Sequence, residues 1–204
     1  MDNKSINDNH SANFSYDICT ESSNDVRAIY RVVQSAFASA LQSDGNEQDI
    51  VNELRENGDL TVSLLAKLKA VDGNEVSDNK VIGHVAFSSV LIVNDDEMIR
   101  GYFGLAPVSV LPEYQGSGVA NALNKHGLKA VEAFGAKGCV ALDEPKYYQR
   151  FGFECEPDIS YPGVPAEHSD YFRVIHFVVP VGDENAVKGA VQYAPAFSPA
   201  FSPA

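Results

Sequence analysis

The stretch LPEYQGSGVANAL, Leu111 to Leu123, decides how the rest of the chain is interpreted. It lies between an apolar run, FGLAPVSVL (103–111), and a segment with helical periodicity. Gly116 and Gly118 stand where the predicted strand gives way to the predicted helix, and glycine allows backbone conformations that are closed to other residues. Two interpretations are open: a plain turn, or a backbone shaped to hold an anion on the free N–H groups of the helix.

Two other phosphate-binding motifs do not fit this stretch. The P-loop requires G-x-x-x-x-G-K-[ST], and no such run occurs in the chain. The dinucleotide fingerprint requires a third glycine at position 121, which is Asn121. An anion held here would therefore belong to a different class of cofactor.

The order of predicted elements indicates a mixed α/β fold with one sheet and helices on both of its faces. Apolar periodicity predicts the strands at 14–20, 61–68, 81–93, 102–111, 139–143 and 172–181. It predicts the helices at 25–41, 48–57, 116–134 and 144–153. The run FRVIHFVVPV (172–181) is apolar enough to predict a long, central strand.

The length of 204 residues is typical of one domain, which we place at residues 14–194. Residues 1–13 are polar and rich in Asn and Asp, so we expect them to be disordered. Residues 195–204 carry a tandem AFSPA repeat, and Pro with small residues predicts a low-complexity, unstructured tail.

The composition excludes several classes of function. The net charge of −13, from 28 acidic and 15 basic residues, argues against nucleic-acid binding. No run is long and apolar enough for a membrane span, and the first residues are not typical of a secretory signal. Three cysteines without C-x-x-C spacing predict reduced thiols and no metal site, and hence a cytoplasmic protein.

Two motifs resemble those of the GNAT superfamily of N-acetyltransferases. The segment 111–120 resembles the acetyl-CoA motif [QR]-x-x-G-x-[GA], with Gln115, Gly118 and Ala120 in its three defined places. About 30 residues on, YQRFGF (148–153) resembles Y-x-[KR]-x-G-F. Together with VIGHVAFSSV these motifs are similar to a subgroup of small, mostly bacterial predicted acetyltransferases.

The resemblance implies a strongly twisted mixed sheet that splays open in the middle, with acetyl-CoA as cosubstrate and no metal. The pantetheine would pair with Val108–Val110 as if it were another strand, and the pyrophosphate would rest on the amides of Gln115–Ala120. The implied cofactor-binding residues are Val108, Ser109, Val110, Gln115, Gly116, Ser117, Gly118, Val119 and Ala120. Neutral backbone donors would suit an anion in a protein as acidic as this one.

Direct attack of a primary amine on the thioester is the route that the resemblance implies. Tyr148 is the candidate general acid, because a phenol of pKa ~10 keeps its proton at neutral pH and can pass it to a departing thiolate. The alternative role for Tyr148 is aromatic packing beneath the helix. Cys139 and Cys155 would be bystanders, since direct attack requires no protein nucleophile.

The general base is left open by the sequence. Many relatives place a Glu on the strand before the acetyl-CoA motif, and FGLAPVSVL contains no acid. Asp143, Glu144, His84 or a water chain are the alternatives. The oxyanion would be met by a strand amide around Ala106–Val108, where Pro107 removes one donor and predicts a bulge.

We therefore expect an acetyl-CoA-dependent N-acetyltransferase that acts on a small-molecule or protein amine, as a monomer or homodimer. The main rival is a non-catalytic acyl-CoA-binding or regulatory module on the same fold. The missing strand Glu is the feature that favours the rival.

Overall fold

A computed structural model describes residues 14–38, 43, 45–69, 80–95, 97–178 and 186–197. The predicted disorder at 1–13 and most of the predicted tail lie outside these residues. The helices are α1 (Val26–Phe37), α2 (Glu47–Glu56), α3 (Val119–Ala133) and α4 (Pro145–Gln149). The strands are β1 (Tyr16–Thr20), β2 (Leu60–Leu68), β3 (Val81–Val93), β4 (Met98–Val110), β5 (Gly138–Leu142), β6 (Ile159–Ser160), β7 (Phe172–His176) and β8 (Gly189–Gln192). In this part of the chain, no helix has the length and apolar character that crossing a membrane requires.

The described strands form one mixed sheet with the order β1-β2-β3-β4-β5-β7. Strands β1 to β4 are antiparallel to their neighbours, β5 is parallel to β4, and β7 is antiparallel to β5. Strand β8 pairs with the far end of β3, and β6 pairs with β8. The parallel β4–β5 pair requires a crossover, which α3 provides. The predicted mixed α/β fold is confirmed.

The sheet opens between β4 and β5. Their pairing covers only Tyr102–Gly104 against Gly138–Val140. Beyond it, no described strand pairs with Leu105–Val110 on the side away from β3. At Ala106 and Pro107 the register with β3 shifts, as expected for a bulge that bends the strand. The splay therefore leaves the backbone groups on one edge of β4 open to the gap between β4 and β5.

Glycines allow α3 to lie close against one face of the sheet. A Cβ at Gly83 of β3 would lie 2.9 Å from Cγ1 of Val119, and a Cβ at Gly127 would lie 2.1 Å from Cε2 of Phe87. Helices α1 and α2 cover the other face through a separate apolar cluster that includes Ile29, Val33, Val51 and Leu65. Helices on both faces are thus confirmed.

The prediction of a long central strand at 172–181 is wrong for residues 172–178, and residues 179–181 lie outside the described part of the chain. Strand β7 is five residues long, from Phe172 to His176, and it stands last in the order of the sheet. Its side chains alternate between two apolar clusters, with Phe172 and Val174 buried in one and Ile175 partly buried against the other. A continuous apolar run does not distinguish such a strand from a central one.

The prediction of an unstructured tail is wrong for its first three residues. Pro195–Phe197 form a 3-10 turn, and Ala196 and Phe197 are buried. They belong to the same apolar cluster as Ile50 and Leu54 of α2. The packed part of the chain therefore reaches residue 197 rather than 194, because the aromatic ring of the repeat finds an apolar surface to cover.

Candidate active site

The loop between β4 and α3 depends on two left-handed glycines. After a 3-10 turn at Pro112–Tyr114, Gly116 has φ 72° and Gly118 has φ 90°, and α3 begins at the next residue. A Cβ at either glycine would meet no atom within 4 Å. Backbone conformation, not close packing, is therefore the reason for glycine at these two positions.

The N-terminus of α3 presents free donors. No side chain caps it, and the first N–H of the helix to donate to a main-chain carbonyl of the described chain is that of Ala122, to Gly118 at 3.0 Å. The N–H groups of Val119, Ala120 and Asn121 precede it and carry the positive end of the helix dipole. This geometry favours an anion-binding loop over a plain turn.

The open edge of β4 presents a second set of backbone groups. The Leu111 N–H donates to the Ile82 carbonyl of β3 at 2.9 Å, so Leu111 faces β3. Because successive residues of a strand point their backbone groups to opposite sides, Val110 and Val108 face the opening. In agreement, the Gln115 side chain donates to the Val110 carbonyl at 3.1 Å from that side. An extended ligand with amide groups can pair with Val108 there.

A cavity of about 560 Å³ lies at this opening. Its walls come from α1, α2, β4, β5, α4 and the segments around β6 and after β8. They are Phe37, Ser43, Asn46, Glu47, Ile50, Leu105, Ala106, Pro107, Val108, Leu142, Asp143, Tyr148, Tyr161, Gly163, Val164, Pro165, His168, Tyr171, Tyr193 and Phe197. The cavity brings together Val108 and Tyr148 of the predicted site residues. Ser109, Val110 and the loop residues 115–120 do not line it.

Tyr148 is held at the cavity by the second sequence motif. Its side chain is only 3% exposed, and Gly152, with φ 91°, ends α4 so that Phe153 turns back and packs on the Tyr148 ring at 5.4 Å. Within the described chain, no hydrogen bond engages the Tyr148 hydroxyl. By contrast, the neighbouring Tyr147 hydroxyl accepts a hydrogen bond from Asn124 at 3.2 Å.

Tyr148 at the cavity and Cys139 in the core of β5 both keep their protons. Burial, with the Asp143 carboxylate nearby, raises the pKa of Tyr148 well above its usual value, so the phenol stays protonated. Burial likewise raises the pKa of the Cys139 thiol, which is fully inaccessible. A thiol held neutral and out of reach is not a nucleophile, and this agrees with the bystander role expected for Cys139.

The structure separates the candidates for the general base. His84 is completely buried on β3 and does not line the cavity, and burial lowers its pKa to about 3. Glu144 does not line the cavity either. Asp143 does, with its Oδ1 accepting the Glu144 N–H at 2.7 Å. Of these three side chains, only Asp143 lines the cavity, and it is therefore the candidate base that the geometry favours.

His84 instead terminates a buried polar chain. Its Nε2 lies 2.9 Å from Oγ of Ser63, whose hydroxyl also hydrogen-bonds Oε2 of Glu21. The Glu21 carboxylate accepts two hydrogen bonds from Arg55, from Nε to Oε1 at 2.7 Å and from Nη2 to Oε2 at 3.0 Å. The chain links β2, β3 and α2 to the residue that follows β1, so it is part of the framework rather than of the cavity.

The comparisons with known proteins agree with this geometry. Residues 74–155 match the family model described as "Acetyltransferase (GNAT) domain". A GNAT family acetyltransferase from Brucella melitensis, solved in complex with acetyl-CoA, is 34% identical, with a TM-score of 0.71 over 90% of this chain and 98% of that one. The chain belongs to the GNAT superfamily of acetyltransferases. The predicted fold, the predicted class of enzyme (an acetyl-CoA-dependent acyltransferase) and the predicted cosubstrate are confirmed at the level of the family.

Further GNAT relatives come from Escherichia coli. The structure of the GNAT family N-acetyltransferase YhbS, in complex with CoA, is 30% identical, with a TM-score of 0.73 over 91% of this chain and 93% of that one. In sequence, the K12 protein named "Uncharacterized N-acetyltransferase YhbS" is 35% identical over 122 residues. That sequence match covers 60% of this chain and 66% of the relative.

Sequence reasoning missed one side of the cavity of this GNAT chain. Asn46 and Glu47 begin α2, Tyr161 follows β6, and Tyr193 follows β8. None of them belongs to a motif, and each reaches the cavity only because distant segments pack together. A Cβ at Gly104 would lie 2.5 Å from Cε1 of Tyr193, which shows how closely that ring covers β4.

Proposed function

We propose that this GNAT chain is an acetyl-CoA-dependent N-acetyltransferase in which a primary amine, of a small molecule or a protein, attacks the thioester directly. One observation carries the proposal. The open edge of β4 at Val108 faces the same cavity as the unbonded hydroxyl of Tyr148. The free N–H groups at the start of α3 follow β4 after the loop 111–118. An open strand edge, free backbone N–H groups and a phenol hydroxyl support a site for acetyl-CoA with a proton donor beside its thioester.

The backbone groups described above fit acetyl-CoA. Free N–H groups around Gly116–Ala120 would hold the pyrophosphate without a cationic side chain. The open edge at Val108 and Val110 would pair with the amides of the pantetheine arm. The full set proposed to bind it is Val108, Ser109, Val110, Gln115, Gly116, Ser117, Gly118, Val119 and Ala120. When bound, acetyl-CoA supplies the activated acyl group that the amine attacks.

Tyr148 is the proposed proton donor to the departing sulfur. Its raised pKa keeps the hydroxyl protonated over the whole physiological range. A thiol has a pKa of about 8.5, so complete proton transfer from this phenol to a thiolate runs uphill. The Tyr148 hydroxyl therefore acts first as a hydrogen-bond donor to the sulfur as negative charge develops there. Burial strengthens that hydrogen bond because water does not compete for it.

Asp143 and Val108 are proposed to hold the remaining charges. The Asp143 carboxylate lines the cavity and can accept, directly or through water, the proton that the attacking nitrogen loses. Pro107 has no N–H, whereas the N–H of Val108 faces the opening. The Val108 N–H is thus the strand amide placed to meet an oxyanion. A neutral amine loses one proton as the C–N bond replaces the C–S bond, and the sulfur gains one from Tyr148, which is reprotonated from solvent. An amine that arrives as an ammonium first releases one further proton to solvent.

The test is CoA thiol release with acetyl-CoA and a panel of primary amines, with Tyr148→Phe compared against Tyr147→Phe. Loss of a general acid is expected to lower kcat about 100-fold in Tyr148→Phe while acetyl-CoA affinity stays unchanged. Tyr147→Phe deletes a hydroxyl that is already bonded to Asn124 and serves as the matched control. Equal kcat values in the two variants would remove Tyr148 from the mechanism.

The second candidate function is a non-catalytic acyl-CoA-binding module. The absence of an acidic residue from the open part of β4, Leu105–Val110, is the observation that favours it. It predicts acetyl-CoA binding by titration calorimetry with no thiol release for any amine in the panel. Turnover with any of these amines would exclude it.

A further inference from the structure

We propose that the acceptor is a cationic amine with an apolar or aromatic body and no carboxylate beside the nitrogen, and that Glu47 and Asn46 receive its N–H groups. This inference rests on the proposed function, because it assigns the chemistry of the acceptor side of the same cavity. It concerns residues at the start of α2, which no motif of the sequence singles out.

Two oxygen atoms in the cavity wall are buried without a partner. Oε2 of Glu47 and Oδ1 of Asn46 have no hydrogen-bond partner among the described residues, and both residues line the cavity. Both atoms are acceptors, so each is satisfied only by a donor. An unsatisfied buried acceptor is unfavourable, and an ammonium group carries three N–H donors that can satisfy such atoms.

The charge of the cavity selects the same class of ligand. Its acidic side chains are Glu47 and Asp143, its one histidine is His168, and no Lys or Arg among the described residues lines it. A carboxylate on the acceptor would face two like charges without a Lys or Arg to pair with. The net charge of −13 acts in the same direction by raising the local concentration of cations.

Aromatic rings form much of the remaining wall. They are Phe37, Tyr148, Tyr161, Tyr171, Tyr193 and Phe197. Tyr193 is in edge contact with Tyr161 at 5.0 Å and packs against Phe197 at 5.3 Å, which makes this wall continuous. Ring faces attract ammonium groups and pack on apolar or aromatic bodies. The wall thus suits a cation whose body is not polar.

The position of α2 directs Glu47 toward the reacting end of the cavity. Ile50, one turn later on the same face of α2, belongs to an apolar cluster against which Ala106 and Tyr193 pack. Ala106 is part of the β4 bulge next to Val108. Glu47, Ala106 and Val108 therefore line one cavity, with the start of α2 packed near the β4 bulge.

The experiment measures binding rather than turnover. Titration calorimetry measures the Kd of tyramine, tyrosine and 4-ethylphenol, with and without saturating CoA. CoA is used because it carries no acetyl group, so no turnover occurs during the titration. Tyramine and tyrosine differ by one carboxylate, and 4-ethylphenol lacks the amine. We expect tyramine to bind about tenfold or more tightly than tyrosine, the size of effect that one unpaired charge in a binding site produces.

The variant Glu47→Gln is compared with Glu53→Gln, which makes the same charge change on an exposed position of α2. Glu47→Gln is expected to weaken tyramine binding about tenfold and to leave 4-ethylphenol unchanged, whereas Glu53→Gln alters neither. Equal binding of tyramine and tyrosine, equal effects of the two variants, or no tyramine binding at millimolar concentration would each overturn the proposal.

Failure of the proposed function has a different signature. It appears as absent CoA binding, or as absent thiol release with every amine. The titrations without CoA report on the acceptor side of the cavity in either case. If the protein binds tyramine through Glu47 but does not turn over acetyl-CoA, the amine-binding role of Glu47 stands and the proposed enzymatic function is wrong.

Discussion

The neutral, buried state of His84 gives a prediction about stability that separates it from the catalytic groups. Its side chain is completely buried, and burial lowers its pKa to about 3. In the unfolded chain the imidazole titrates at its ordinary pKa of 6.5. Between these values the unfolded chain binds a proton that the folded chain does not, so the free energy of unfolding falls as the pH falls.

The size of the effect follows from the ordinary pKa of the unfolded imidazole. At about pH 5 the unfolded imidazole is protonated and the folded one is not, provided that its folded pKa lies well below 5. The loss relative to about pH 8 is then roughly 2 kcal/mol, from 1.36 kcal/mol per pH unit below the ordinary pKa. This figure depends on the unfolded value and hardly at all on how far the folded pKa is lowered.

The assay is urea unfolding near pH 8 and pH 5, followed by far-UV circular dichroism because the chain has no Trp. The loss of unfolding free energy between the two pH values is compared for the wild type and for His84→Gln, which keeps a polar group facing Ser63. The comparison cancels the contributions of all other ionisable groups, which are the same in the two proteins. The wild type should lose about 2 kcal/mol more than the variant. Equal losses would show that His84 is not held neutral and would refute the reasoning.

Three further predictions test the packing and the anion-binding loop. Gly127→Ala should destabilise the protein by about 1–2 kcal/mol, because the new methyl group overlaps the buried Phe87 ring and this cost exceeds the gain in helix propensity. In a double-mutant cycle followed by urea unfolding, Phe87→Leu should remove most of the destabilisation caused by Gly127→Ala. Phe197→Ala should lower the free energy of unfolding by about 3 kcal/mol in the same assay, because the Phe197 ring is buried. A decrease below roughly 0.5 kcal/mol would support an unstructured tail from residue 195 onward. Gly118→Val should raise the Kd for acetyl-CoA about tenfold or more. The control is Gly135→Val, which has a similar φ of 93° and equally open surroundings and should leave the Kd unchanged. Equal Kd values for the two variants by calorimetry would contradict an anion site at Gly118.

The parts of the site that could be predicted from the sequence are contiguous in the chain. The turn with Gly116 and Gly118, and the helix end that carries Tyr148, Gly152 and Phe153, are each set by local backbone geometry. Left-handed glycines and helix ends leave a signature within a few residues, so a short motif is sufficient to find them. The mixed fold followed from the order of elements for the same reason.

The acceptor side of the cavity could not be predicted, because it is assembled from distant segments. Glu47, Tyr161 and Tyr193 meet only after β8 pairs with β3 and α2 covers the β4 bulge. A composition signal was also misleading at Phe197, since a repeat of Pro and small residues says nothing about the groove that its ring fills. Likewise, the hydroxyl partner of His84 lies on the neighbouring strand at Ser63, which no local pattern around His84 indicates.

The central claim is that this chain moves an acetyl group from acetyl-CoA to an amine bound in the β4 cavity. Its most direct test is the stoichiometry of the reaction with tyramine, with CoA thiol measured by a thiol reagent and N-acetylated amine by mass spectrometry in the same sample. We predict equal amounts of the two products, both reduced about 100-fold in Tyr148→Phe. Acetyl-CoA that binds but yields no N-acetylated product from tyramine or from any other primary amine would contradict the claim.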